Sequence, residues 1–137
     1  MGRAMRAAAF GLMAAVVGFV VAPQVLHVAI WVGGGWMPAG LLRWTGHICY
    51  EAGLWFSGAA VWLVAQRLGA LAGRRFAIVI IVAPAFIETA AALVLGRLSP
   101  ALSTWTGFVV RVFVGTVALA LGLWLTARPA GARRVAP

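Results

Sequence analysis

The chain contains no lysine; all eleven of its basic residues are arginine. Acidic residues are scarcer still, with two glutamates, Glu51 and Glu88, and no aspartate among 137 residues. Charged residues make up 9% of the chain, against about a quarter in a soluble domain. A single cysteine, Cys49, excludes an intrachain disulfide and a cysteine metal cluster. No internal repeat and no glycine-rich phosphate loop stands out. What is there is apolar: 64% of residues are hydrophobic and the mean hydropathy is +1.04. Those values exclude an ordinary soluble domain and point to a polytopic membrane protein. A net charge of +9 would suggest nucleic acid in a soluble chain. Here the arginines lie mainly between hydrophobic runs, where they set topology, so a bilayer is expected as partner and nucleic acid is not. Arginine without lysine, together with abundant alanine, glycine and valine, suggests a GC-rich bacterial genome and hence a bacterial inner membrane.

A membrane helix needs about 20 apolar residues. Four stretches qualify, Ala7–Trp31, Leu42–Ala65, Phe76–Gly96 and Trp105–Ala127. They are separated by short segments rich in breakers, "GGGWMPAG", "QRLGALAGRR" and "RLSPALST". Short connections make consecutive helices antiparallel neighbours. The expected fold is therefore an all-α integral membrane protein: one antiparallel four-transmembrane-helix bundle over residues 1–127, followed by a basic, disordered tail over 128–137. Arg3, Arg6, Arg67, Arg74, Arg75, Arg128, Arg133 and Arg134 fall on one side, and Arg43 and Arg97 on the other. The positive-inside rule then places both termini in the cytoplasm. Trp31, Trp36, Trp44 and Trp105 cluster at the opposite ends, as an interfacial belt does. The first run continues past Pro23 to Trp31, which reads as a retained, proline-kinked helix rather than a cleaved signal peptide.

Depth counting brings the ionisable residues together. At 1.5 Å of rise per residue, Glu51 lies roughly 10 Å below Trp44, Glu88 roughly 13 Å from Arg97, and Arg111 roughly 9 Å from Trp105. Three charges on three helices thus reach nearly one level. A charge in the bilayer core costs about 2.5–3.5 kcal/mol on insertion scales, so these three are expected to face one another. His47 lies one turn above Glu51 on the same helix face; His27 is shallower on the first span, and Gln24 is one turn deeper than His27. Small residues mark helix contacts. Thr104, Gly107, Arg111, Gly115, Ala118 and Gly122 form such a stripe on the fourth span, and His47, Glu51, Gly58 and Ala65 form one on the second. Pro84, four residues before Glu88, is expected to bend the third span beside the carboxylate.

The motif "HICYEAGLWF" on the second span, followed by "FIETAAALVLGRLSPALSTW" on the third, resembles the emopamil-binding protein family of membrane sterol isomerases and their relatives. The resemblance covers about a third of the chain. It implies that His47, Glu51 and Glu88 are acid–base residues, with Thr89 beside Glu88. It also implies a double-bond shift, by protonation at one carbon and deprotonation at another through a carbocation, and affinity for amphiphilic cations. Isomerase members carry five spans against four here, and Arg111 lies outside the shared pattern.

Independently of that resemblance, two glutamates, a histidine and an arginine at one level exceed what a structural ion pair needs. The expected activity is that of a membrane isomerase or cyclase using acid–base chemistry on a lipophilic, isoprenoid-, sterol- or polyketide-like substrate. Glu51, Glu88, His47 and Arg111 are the candidate catalytic residues. His27, Trp55, Thr89, Trp105 and Phe108 are the candidate substrate-binding residues, the aromatic rings suited to a cationic intermediate. No cofactor and no metal are expected, because Arg111 at the carboxylate level opposes a bound cation, and His27 and His47 do not face each other at mid-membrane as haem ligands would. Two other classes compete: a proton-coupled exporter of small hydrophobic compounds, working as a homodimer, and an accessory membrane subunit in which the Glu–Arg network orders the bundle.

Overall fold

The computed structural model describes residues 2–97 and 103–127. Four helices make up the fold: α1 (Arg3–Gly33), α2 (Ala39–Arg67), α3 (Arg74–Val94) and α4 (Trp105–Ala127). Each is long and apolar enough to cross a bilayer. The protein is a multi-pass membrane protein. The tail expected to be disordered, residues 128–137, lies outside the described residues.

The helices match the four apolar runs to within a few residues: α1 and α2 extend beyond theirs, and α3 starts at Arg74 and stops at Val94, short of the expected Gly96. Alanine, methionine and arginine are good helix formers, so α1 starts at Arg3, before the oily run begins. It passes through Pro23 as one continuous helix. Gly33 ends it, and Pro38 then sets the extended backbone (φ −58°, ψ 145°) that starts α2. α2 and α3 end in the same motif. Gly69 (φ 64°) and Gly96 (φ 65°) take the left-handed conformation, which costs glycine nothing. The amide of Gly69 donates to the Gln66 carbonyl and that of Ala70 to the Ala65 carbonyl; the amides of Gly96 and Arg97 do the same to Leu93 and Ala92. Thr104 caps α4, its Oγ1 accepting the Gly107 amide at 3.1 Å. It therefore leaves the buried stripe in which its spacing puts it, because a hydroxyl at that position serves the free amides of the first turn.

α2 and α3 pack on each other; α1 packs on one side of this pair and α4 on the other, and among the described residues α1 and α4 do not touch. Small residues allow the close approaches. A Cβ on Gly53 would lie 2.6 Å from the Ala22 Cα, and one on Gly58 would lie 2.6 Å from the Ile81 carbonyl oxygen. The Trp62 indole, on the second half of α2, donates to Thr126 Oγ1 near the end of α4 at 2.7 Å. Arg3 and Arg6 adjoin Gly69 to Ala72 in the α2–α3 turn. The beginning of α1 and the end of α4 thus share one end of the bundle. Trp31, Trp36, Trp44 and Trp105 sit exposed toward the other end.

A buried carboxylate–guanidinium–carboxylate cluster

The three charges that share a depth also share a site, formed by α2, α3 and α4. Arg111 points inward from a face of α4 that includes Gly107, Val110, Val114 and Gly115. Its guanidinium meets Glu51 through two parallel hydrogen bonds, Nε to Oε2 and Nη2 to Oε1, each 3.0 Å. The same Nη2 donates to Glu88 Oε2 at 2.8 Å. Nη1 donates to Thr89 Oγ1 at 2.7 Å, and the Thr89 hydroxyl donates in turn to the Ala85 carbonyl at 2.9 Å. The forked pairing matches guanidinium to carboxylate geometry, which makes it the strong form of this contact. All three side chains are out of solvent: Glu51 is 2% exposed, Glu88 9% and Arg111 10%.

Aromatic packing holds Glu51 from below. Trp55, one turn further along α2, donates its indole N–H to Glu51 Oε2 at 3.1 Å. Its ring lies against α4 at Gly115, where a Cβ would sit 2.7 Å from the ring carbon Cζ2. Glycine at 115 therefore gives the indole room to hold Glu51. Among the described residues, no buried side-chain nitrogen or oxygen lacks a hydrogen-bond partner.

The remaining candidates lie elsewhere. His47 is half-buried and faces a groove between α1 and α2 instead of bonding to Glu51. His27 is exposed on α1, the helix that supplies nothing to the cluster. Trp105 and Phe108 stack on each other, ring centres 5.7 Å apart, on the exposed outer end of α4. The structure thus joins Glu51, Glu88, Arg111, Thr89 and Trp55, and separates His27, His47, Trp105 and Phe108 from them. Tyr50, absent from the sequence-based set, is half-buried next to Glu51 in the chain and lines the same groove as His47. Its signal was its i+3 spacing from His47. Among the described residues, no three His, Cys, Asp or Glu side chains converge as metal ligands would. Compared with protein-family models, curated proteins and solved structures, the chain finds no match.

Proposed function

We propose that this protein is a membrane-embedded acid–base enzyme, an isomerase or cyclase of lipophilic substrates, and that the Glu51–Arg111–Glu88 cluster supplies its proton. The observation that carries this reading is the shared nitrogen: Arg111 Nη2 touches both carboxylates, at 3.0 and 2.8 Å. Two carboxylates and one guanidinium sum to one negative charge. Leaving that charge in the bilayer costs about 2.5–3.5 kcal/mol on insertion scales. One bound proton removes it. Glu51, with its forked pairing and the Trp55 bond, is the fixed anion; Glu88 carries the proton and donates it. The resulting Glu88 carboxylate stays paired with Arg111, so the donated state remains stabilised.

For an alkene, the step balances as follows. A C–H bond forms as the Glu88 proton adds to one alkene carbon, and the π bond breaks to leave a carbocation. The Glu88 carboxylate then removes a proton from a neighbouring carbon, which restores its acid form, and the π bond re-forms one position along. Ring closure onto the cation and proton-triggered epoxide opening use the same donor. The resemblance to the emopamil-binding protein family supports an acid–base role for Glu88; the fixed-anion role of Glu51 and the part played by Arg111 rest on the cluster geometry alone. In this proposal the protein sits in a bacterial inner membrane with its arginine-rich end in the cytoplasm.

The test is turnover of isoprenoid alkenes and epoxides by purified protein in D2O, with deuterium in the product as readout. Wild type incorporates deuterium, whereas Glu51→Gln and Glu88→Gln each lose product by at least about a hundredfold. Full turnover in both variants removes the proposal. A second reading, an accessory subunit whose bundle is ordered by the cluster, draws on the complete pairing of the cluster's polar atoms. It calls for lower stability in the same variants and no deuterated product from wild type.

A further inference from the structure

A groove of 420 Å³ opens between the last turns of α1 and the first turns of α2. Leu26, Ile30 and Leu42 form its apolar surface. Arg43, His47 and Tyr50 line it too, at i, i+4 and i+7, which places them on one face of α2. Along α2 the groove runs from Ala39 to Tyr50, about 16 Å of helix. Its two ends differ in chemistry. The outer end carries Arg43, exposed beside the interfacial Trp44. The inner end is Tyr50, half-buried and the chain neighbour of Glu51.

Among the described residues, Arg43 has no ion-pair partner. The only two acidic side chains in the sequence are Glu51 and Glu88, and both are committed to Arg111. An exposed cation at the mouth of an apolar groove at the bilayer surface matches a ligand with an anionic head and one hydrocarbon chain. We infer that the groove binds a single-chain anionic amphiphile, its phosphate or carboxylate head on Arg43 and its apolar end directed at Tyr50 and the carboxylate cluster. This deepens the acid–base reading by naming its substrate class, and it rests on that reading only for the chemistry at the inner end. The same head chemistry occurs on membrane phospholipids, so the experiment separates the two sources.

The experiment is equilibrium binding to the full chain in phosphatidylcholine nanodiscs, with dodecyl phosphate as probe and dodecanol, dodecyltrimethylammonium and inorganic phosphate as comparators. Dodecyl phosphate binds saturably and the three comparators bind at least about tenfold more weakly. Arg43→Gln weakens dodecyl phosphate about tenfold, and Ile30→Trp, which fills the groove from an exposed position, abolishes binding. Glu88→Gln binds like wild type, so loss of turnover and loss of binding are read separately. Thermal melts of Arg43→Gln and Ile30→Trp confirm folding. The inference is overturned if dodecanol or the cation matches dodecyl phosphate, or if both folded groove variants bind it normally. It is also overturned if nanodiscs containing phosphatidylglycerol abolish dodecyl phosphate binding at equal mole fraction, because the site would then belong to a bilayer lipid.

Discussion

Arg111 is the residue on which the site depends, because three neighbours are arranged for its charge. Glu51, Glu88 and Thr89 all accept from its guanidinium. Removing one partner from a buried ion pair costs about 3–5 kcal/mol, since the other charge is left without compensation. Arg111→Met is apolar and has no donor, and it leaves the Glu51 carboxylate without its counter-ion beside Glu88. It is expected to destabilise the protein by about 3–5 kcal/mol, read as a lowered unfolding midpoint in detergent. Pairing Arg111→Met with Glu51→Gln and Glu88→Gln removes all three ionisable groups and should recover most of that loss. A triple variant no more stable than Arg111→Met would show that shape, and not charge, sets the cost.

At the scale of the helices, glycine positions decide how near the charges come. Gly58 is where α2 approaches the Ile81 carbonyl, and the same two helices carry Glu51 and Glu88. Since a Cβ there meets backbone, the neighbour has no rotamer through which to yield, and the helices must part. Gly58→Ala is expected to cost about 1–3 kcal/mol, measured by denaturant titration, whereas Gly40→Ala, with open space around it, should be close to neutral. The helices and the level of the charges were legible in the sequence, because charges in an oily run are few and helical rise converts their positions into depth. What depth does not supply is lateral order. His27, somewhat shallower than the charges, sits on α1, which α2 and α3 separate from α4, and no spacing in the sequence tells which helices are neighbours across a bundle. Trp55 had the right spacing from Glu51, but its bond depends on Gly115 of another helix leaving room for the ring. Tyr50 and His47 share a face, yet their groove exists only because the end of α1 leans on α2.

Across the whole molecule, the distribution of charge and aromatic rings gives the bundle a direction. Arg3, Arg6, Arg67, Arg74 and Arg75 lie toward the end with the α2–α3 turn, while Arg43 and Arg97 lie toward the tryptophan-rich end. Lys and Arg in short loops are held on the cytoplasmic side of the bilayer. The cluster lies in the half nearer the tryptophans, and the Arg43 groove opens at that same end; with the arginine-rich end in the cytoplasm, as proposed, both belong to the outer half of the bilayer. This orientation is testable with single cysteines in a Cys49→Ala background. Gly2 and Gly35 are both exposed, and a Cβ at either position would meet nothing within 4 Å, so a thiol there is tolerated and reachable. A membrane-impermeant maleimide should label Gly35→Cys in intact cells, and Gly2→Cys only after permeabilisation. The reverse pattern would put the cluster and its groove in the cytoplasmic half, where a ligand made inside the cell reaches Arg43 without crossing the membrane.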